Sequence, residues 1–295
     1  MNRRLIVILI IIGLLLISRT DQAEQAFTGG DLLFKIQSLF EPNVAAKAAI
    51  VIDEKTGKVL YAKNADTTYP VASMSKMMTE YLLLEAVKEK RASWSDMVPI
   101  SPNAEKAEGA RVHLVAGQTY PLKDLYYAMA VGSANNAAVA IGEYLAGSTT
   151  AFAKLMNQKA VQMKLRSTHF VNATGLDDLY GQNQMSARDV SILARHLITD
   201  FPEIISLSKQ PSVTLSSTGE AVANTNEMIA SENERMLVEG LDGLKTGFTD
   251  QSGYCFTGTA EQGGKRLISV VMGAETKTDR FTETKTLMDV GFTTW

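Results

Sequence analysis

The chain has 295 residues, of which 45% are hydrophobic and 21% charged, and its formal net charge is −3. This length and hydrophobic content suffice for one large domain or two lobes with a real core, which excludes a disordered protein. The net charge argues against a sequence-independent nucleic-acid binder, which needs a basic face. The single cysteine, Cys255, excludes an internal disulfide, and three scattered histidines indicate no dedicated metal site. We therefore expect no metal and no cofactor.

The N-terminal segment predicts export. Two arginines precede residues 5–17, which are all apolar except one glycine. A helix over this run is roughly 20 Å long, shorter than the ~30 Å hydrocarbon core of a bilayer. We expect residues 1–26 to be a signal peptide or, if uncleaved, an N-terminal membrane anchor, followed by a lead-in over residues 27–44. The protein would then act on the outer face of the cytoplasmic membrane, in the cell wall or as a secreted protein.

In chain order, the remaining sequence predicts strands at both ends and helices between them. Two apolar runs, 48–53 and 58–62, flank a turn and predict a β-hairpin. A run with helical spacing follows Pro70 and extends to about Lys90. Two further helices are predicted within 122–146, others at 149–165, 186–200 and 279–290 with Gly291 as the end, and strands at 241–246, 253–259 and 267–273. The pattern predicts an α+β fold: an antiparallel sheet flanked by helices plus an all-helical lobe, with a cleft between.

Three short motifs indicate acyl transfer by an active serine, but each occurs more than once. Ser-x-x-Lys is found at 73–76 and 206–209, Ser-x-Asn at 101–103, 133–135 and 231–233, and Lys-Thr-Gly at 55–57 and 245–247. Ser73 opens the helix after Pro70, and Lys76 follows one turn later on the same face, so one rigid element would hold nucleophile and base. The alternative is an N-cap serine beside a surface lysine. The copy at Ser206 precedes Gln210-Pro211 and is expected to fray into a loop.

Among the other copies, those that begin at Ser133 and Lys245 fit a cleft best. Ser133–Asn135 lies between two apolar helical segments, which either a loop projecting into a cleft or a helix N-cap explains. Lys245 lies on a strand, where it would attract a carboxylate while Thr246 donates to it and Gly247 lets a substrate approach the backbone. An ordinary solvated lysine beside a turn glycine is the alternative. The copies at 101–103 and 231–233 are interpreted as a polar turn and a solvated charged stretch.

The sequence around these motifs resembles the low-molecular-mass penicillin-binding proteins, the serine-type D-alanyl-D-alanine carboxypeptidases. The likeness covers about residues 45–295 and includes segments 58–66, 72–79, 175–178, 186–189, 242–249 and 279–281. It implies a two-lobed serine DD-peptidase domain over residues 45–295, with the β-lactamase/penicillin-binding transpeptidase-like fold. Because the chain ends where the family's catalytic domain ends, no C-terminal β-rich domain is expected.

The resemblance also implies catalytic roles. Ser73 would be the acylated nucleophile, Lys76 its base and Ser133 a proton relay. The backbone N–H groups of Ser73 and Phe248 would form the oxyanion hole. Lys76 can act as a base only if its cation is disfavoured, which burial and the like charge of Lys245 would achieve.

The substrate-binding residues implied by the resemblance are Asn135, Lys245, Thr246, Gly247, Phe248, Thr249 and Arg280. Asn135 would hold the substrate amide, and Lys245 with Thr246 the terminal carboxylate. Arg280 matches an arginine near that carboxylate site. Where the family often has Ser-Gly-Asn-Asp, this chain has Ser-Ala-Asn-Asn at 133–136, which keeps the two key positions.

The reaction implied is removal of the terminal D-alanine from peptidoglycan stem pentapeptides through a serine acyl-enzyme, in cell-wall maturation. The expected partners are peptidoglycan stem peptides, β-lactam antibiotics as covalent inhibitors and, if the N-terminal segment is uncleaved, the membrane, but no nucleic acid. One alternative is a β-lactamase of the same fold. Class A β-lactamases deacylate with a glutamate in a Glu-x-x-x-Asn pattern, which occurs between the second and third motifs only at Glu220–Asn224; the matching loop, 172–178, has no glutamate. The other alternative is a non-catalytic wall-binding or penicillin-sensing module.

Overall fold

The computed structural model of the protein describes residues 42–177 and 181–293. The predicted signal peptide or anchor over residues 1–26 lies outside the described residues, as does most of the lead-in, so both stay predictions. From Asn43 onward the chain forms one compact unit. Within the two described ranges, no helix has the length and apolar character needed to cross a membrane.

The elements follow the predicted order, with the long strands at both ends of this unit. The strands are β1 (Ala48–Asp53), β2 (Val59–Lys63), β3 (Thr68–Pro70), β4 (Met97–Pro99), β5 (Thr119–Pro121), β6 (Gln184–Ser186), β7 (Ser212–Thr214), β8 (Ala221–Ala223), β9 (Leu241–Thr249), β10 (Gly253–Gln262) and β11 (Lys265–Ala274). The α-helices are α1 (Lys76–Lys88), α2 (Pro102–Glu105), α3 (Leu122–Ala130), α4 (Asn135–Ala146), α5 (Thr149–Gln162), α6 (Ala187–Asp200), α7 (Ile204–Ser208) and α8 (Asp279–Thr293). Short 3₁₀ turns cover Ala72–Ser75 and Glu227–Ala230.

The main sheet joins the N-terminal hairpin to the C-terminal strands, as predicted. In the part of the chain that the structure describes, it has the order β2-β1-β11-β10-β9, and all neighbours are antiparallel. Ala48 of β1 lies opposite Met272 of β11. The C-terminal strands are longer than predicted because their polar ends also pair, for example Glu261 opposite Arg266. Strand β9, which carries the third motif, lies at one edge of the sheet.

Helices cover both faces of this sheet. All six residues of β1 are buried, and because successive side chains of a strand point to opposite faces, they contribute to two cores. Ile50 shares a core with Met77 of α1, whereas Val51 shares the other with Leu287 of α8. Together with the mainly helical region between β2 and β9, this is the predicted α+β fold. The division of the unit into two lobes stays a prediction.

Two helix boundaries differ from the prediction. Helix α8 does not end at Gly291 but continues to Thr293. A Cβ atom on Gly291 would lie 2.6 Å from Cδ1 of Leu267 and 3.2 Å from Cγ1 of Val51. Glycine commonly ends a helix, but here it lets the helix pack closely on the sheet. The helix predicted to begin at Ser73 begins instead at Lys76, after the 3₁₀ turn Ala72–Ser75.

Candidate active site

Ser73 and Lys76 form a hydrogen-bonded pair where the 3₁₀ turn leads into helix α1. Nζ of Lys76 lies 2.8 Å from Oγ of Ser73, 2.6 Å from Oδ1 of Asn135 and 2.6 Å from the carbonyl oxygen of Thr174. In the described residues, no side-chain cap is formed at the start of the turn or of the helix. The alternative in which Ser73 is an N-cap beside a surface lysine is therefore wrong.

The surroundings of Lys76 favour a neutral amine. Its side chain is only 1% exposed. Burial, together with the like charge of Lys245, holds the pKa of Lys76 well below its usual value. A neutral amine has two N–H donors and one lone pair. The two carbonyl oxygens, of Asn135 and Thr174, can take the N–H groups, which leaves the lone pair to accept the proton of Ser73.

Ser133 and Asn135 lie where α3 passes into α4. Ser133 has a φ of +61°, and the N-cap of α4 is Ala134. Ser133 is therefore not a helix N-cap, which was the alternative interpretation of this motif copy. Asn135 is held on both sides: its Nδ2 donates to the carbonyl oxygen of Glu108 at 2.6 Å while its Oδ1 accepts from Lys76. The sequence analysis predicted neither of these two contacts of Asn135.

Gly109 is the residue that makes room for Asn135. Its φ is +77°, and a Cβ atom there would lie 2.7 Å from Nδ2 of Asn135. The backbone N–H of Asn135 also donates to the carbonyl oxygen of Ala110, at 2.6 Å. The loop 108–110 therefore fixes the asparagine, and a glycine in a polar loop was its only sequence signal.

Strand β9 brings the third motif beside the 3₁₀ turn. Lys245 is 3% exposed, and burial lowers its pKa to about 7. Its Nζ donates to the carbonyl oxygen of Thr246 at 3.3 Å, and Oγ1 of Thr246 donates to Oγ1 of Thr225 at 2.7 Å. The solvated lysine that was the alternative is excluded, because Lys245 is buried.

Gly247 was expected to let a substrate approach the backbone, but the structure shows a different reason for a glycine at this position. A Cβ atom on Gly247 would lie 2.8 Å from the carbonyl oxygen of Val71 and 3.3 Å from Cβ of Ala72. The missing side chain thus lets the turn that carries Ser73 pack against β9. Close approach of the protein's own backbone requires glycine here.

Arg280 enters the site from the start of helix α8. Its Nη1 donates to the carbonyl oxygen of Gly247 at 3.3 Å, and its guanidinium lies 4.6 Å from the ring centre of Phe281. The side chain is 5% exposed, and within the described residues its Nε has no hydrogen-bond partner. Because this Nε is itself fully buried, an anion at the site could be bound only through the other N–H groups of the guanidinium.

Most of these groups line one cavity of about 500 Å³. The predicted site residues that line it are Ser73, Ser133, Asn135, Thr246, Gly247, Phe248 and Arg280. Lys76 and Lys245 are buried beside it. Thr249 is instead the last residue of β9, where its backbone N–H donates to Oγ of Ser252, and it is not among the described residues that line the cavity.

Two charged residues at the cavity were not predicted. Glu227 and Lys277 line it and form an ion pair with each other. Glu227 begins the charged segment 227–234. This segment contains the motif copy at 231–233 that the sequence analysis interpreted as solvated. Nothing local in the sequence shows that this residue faces the cavity, since the contact is made between two distant loops.

The repeated motif copies lie elsewhere. Ser101 caps α2 by accepting from the backbone N–H of Ala104 at 2.9 Å. Ser206 lies in the short helix α7 rather than in a frayed loop, and it lines a different cavity. Glu220, the glutamate of the only Glu-x-x-x-Asn spacing, accepts from the backbone N–H of His113 at 2.9 Å. No group of three His, Cys, Asp or Glu side chains that could hold a metal is found in residues 42–177 and 181–293.

Replacing Gly175 by alanine will disturb the turn that carries Ser73. Gly175 has a φ of +86°, and a Cβ atom there would overlap the carbonyl oxygen of Ala72. We expect a loss of about 3 kcal/mol in the free energy of unfolding, from the left-handed backbone and the overlap together. The control is Gly117→Ala, because Gly117 has a φ of +82° but no neighbour within 4 Å. Urea denaturation measures both, and equal losses would show that the overlap does not matter.

Comparison with known proteins identifies the family of this chain. A family model described as D-alanyl-D-alanine carboxypeptidase (peptidase S11) matches residues 35–276. The chain is 35% identical to D-alanyl-D-alanine carboxypeptidase DacF of Bacillus subtilis, over 84% of this chain and 62% of the relative. It is 36% identical to D-alanyl-D-alanine carboxypeptidase DacC of Escherichia coli, over 87% of this chain and 63% of the relative. The chain thus spans somewhat less than two thirds of the length of these curated relatives.

A solved structure extends the likeness to the fold. Penicillin-binding protein D2 of Listeria monocytogenes, in its ampicillin-bound form, superposes with a TM-score of 0.74 at 39% identity. The match covers 85% of this chain and 99% of the Listeria chain. The fold described above is therefore that of a penicillin-binding protein.

Proposed function

Because the chain belongs to the D-alanyl-D-alanine carboxypeptidase family, we propose that it removes the terminal D-alanine from peptidoglycan stem pentapeptides through a serine acyl-enzyme. One observation carries this proposal: the 2.8 Å contact between Oγ of Ser73 and Nζ of Lys76, in a setting that disfavours the lysine cation. A serine next to a buried neutral amine is an activated nucleophile.

The reaction has two halves. Oγ of Ser73 attacks the carbonyl carbon of the penultimate D-alanine while its proton passes to Nζ of Lys76. The C–N bond to the terminal D-alanine then breaks, and the departing nitrogen takes up that proton with Ser133 as the relay. Water next attacks the ester formed on Ser73, which regenerates the hydroxyl and releases the shortened peptide as a carboxylate.

The groups around the cavity suit the two ends of the scissile bond. Arg280, which lines the cavity, would bind the terminal carboxylate together with Lys245 and Thr246, by charge and hydrogen bonding. Asn135 would hold the peptide amide. The backbone N–H groups of Ser73 and Phe248 would stabilise the oxyanion, an effect worth about 3 kcal/mol for a single donor.

The same site would react with β-lactam antibiotics, as the ampicillin-bound form of the Listeria relative suggests. Since peptidoglycan lies outside the cytoplasmic membrane, we further propose an extracytoplasmic location and a role in cell-wall maturation. Residues 1–26 would direct export and, if uncleaved, attach the enzyme to the membrane.

We expect the purified protein to release free D-alanine from a pentapeptide that ends in D-Ala-D-Ala, and not from one that ends in L-Ala. Benzylpenicillin should leave a long-lived covalent adduct, observed by intact-mass analysis, because the loop at 172–178 supplies no glutamate for deacylation. Fast turnover of penicillin would indicate a β-lactamase instead. Peptide binding with neither D-alanine release nor an adduct would indicate a non-catalytic wall-binding module.

A further inference from the structure

The hairpin formed by β7 and β8 contributes one wall of the cavity but takes no part in the steps above. Residues 223–225, at and just after the end of β8, line the cavity. A buried side chain anchors the turn between the two strands. Asp124 of helix α3, only 4% exposed, accepts from the backbone N–H groups of Ser216 at 3.1 Å and of Ser217 at 2.7 Å. The hairpin is therefore tied to the helix that leads into the second motif.

Glu220, just before β8, ties the hairpin to a second segment, 107 residues earlier in the chain. Its Oε2 accepts from the backbone N–H of His113 at 2.9 Å, and a carboxylate forms a strong hydrogen bond with such a group. The neighbouring Val112 exchanges two hydrogen bonds with the side chain of Asn136, at 2.7 and 3.3 Å. The residues just before Val112 fix Asn135, as described above. Glu220 thus joins the hairpin to the segment that holds the start of α4.

The hairpin also contacts the chain on the other side of the second motif. A Cβ atom on Gly132 would lie 2.2 Å from Cγ1 of Val222, so the missing side chain lets β8 pack against the residue before Ser133. The backbone N–H of Thr225 donates to the carbonyl oxygen of Val131 at 3.2 Å. The second motif therefore lies between two segments that the same hairpin contacts.

We propose that Glu220 is a positioning residue: by joining the β7–β8 hairpin to the chain before Asn135, it holds this asparagine where it binds the amide of the substrate. The inference rests on the proposed acyl transfer, in which Asn135 holds the peptide amide. It assigns a role to the only Glu-x-x-x-Asn spacing between the second and third motifs, one that requires no contact with the reacting atoms.

The test compares Glu220→Ala and Glu220→Gln with Glu143→Ala. Glutamine keeps a carbonyl oxygen that can accept from His113, so it should restore most of what alanine loses. Glu143 is the matched control because it also ties a loop to the protein. It accepts from Oγ of Ser101 at 2.6 Å and from Nδ2 of Asn103 at 2.8 Å, at the end of α4 remote from the second motif.

Two β-lactams distinguish the positioning of Asn135 from a general loss of structure. Benzylpenicillin carries a side-chain amide that Asn135 would bind, whereas 6-aminopenicillanic acid has the same ring system without that amide. The second-order rate constant for acylation by each compound is measured by intact mass. Thermal unfolding of each variant shows that the protein stays folded.

We expect Glu220→Ala to react about tenfold more slowly with benzylpenicillin, because a hydrogen bond to a charged group is lost and the asparagine is displaced. With 6-aminopenicillanic acid the loss should be about threefold or less, since no amide has to be bound. Glu220→Gln should stay within about threefold of the unaltered protein for both compounds. Glu143→Ala should react with both at the unaltered rate.

Three results would overturn the inference while leaving acyl transfer intact. The first is an unchanged rate with benzylpenicillin in Glu220→Ala, and the second is an equal reduction with both compounds, which a merely structural role would produce. The third is a glutamine variant as slow as the alanine variant, which would show that the hydrogen bond is not the cause. The absence of an adduct on the unaltered protein would instead refute the proposed function itself.

Discussion

Ser73→Ala will abolish the covalent penicillin adduct and reduce D-alanine release by about 10⁴-fold or more. The covalent step requires the hydroxyl that lies 2.8 Å from Nζ of Lys76. The change deletes one oxygen atom from a turn whose packing depends on Gly247 and Gly175, not on that hydroxyl, so the fold should persist. Intact mass after incubation with benzylpenicillin and a D-alanine assay on the pentapeptide measure the two effects.

The control for this prediction is Ser206→Ala, in the other Ser-x-x-Lys copy. Ser206 belongs to α7 and lines a separate cavity, so this variant should form the adduct at the unaltered rate. An adduct that persists in Ser73→Ala, or disappears in Ser206→Ala, would show that the wrong copy has been identified.

Lys76→Met will slow acylation by about 10²- to 10⁴-fold, the range that a positioned general base contributes. Methionine fills much of the same buried volume but cannot take the proton of Ser73. The unaltered enzyme should lose activity as the pH falls through the depressed pKa of Lys76, because the protonated amine has no lone pair. In the variant, this dependence of the rate on pH should disappear.

Lys209→Met is the matched control, since Lys209 is the exposed lysine of the other motif copy, just after α7. Both variants are compared by the rate of adduct formation from pH 5 to pH 9. If Lys76→Met retained the rate and the acidic limb of the unaltered enzyme, another group would have to be the base.

The sequence predicted those features that depend on local periodicity and turn chemistry. The N-terminal hairpin is confirmed, with Lys55-Thr-Gly57 as its turn, and so are the central helices and the three C-terminal strands. The motif copies that were chosen by context lie together, since Ser73, Asn135 and Thr246 line one cavity. Their catalytic and binding roles stay predictions until the variants are measured.

The features that escaped prediction are set by contacts between distant segments. Glu80 sits among apolar positions of α1, and its burial becomes evident only when Tyr126 of another helix approaches it. In the sequence Gly109 is an ordinary loop glycine, and only the structure shows that Asn135 packs against it. The short strands β4, β5, β7 and β8 have three residues each, too few for a periodic signal.

The sheet order also constrains how this protein folds. Strand β1 takes its long-range partner, β11, from the far end of the chain, and an isolated two-stranded hairpin is marginally stable in water. Such non-local pairing slows folding, because the intervening loop must close first. A growing chain that has emerged only as far as β8 already carries Ser73 and Lys76 but lacks Lys245. If Lys245 binds the substrate as proposed, a chain would therefore become competent for acylation only after its C-terminal strands have been made.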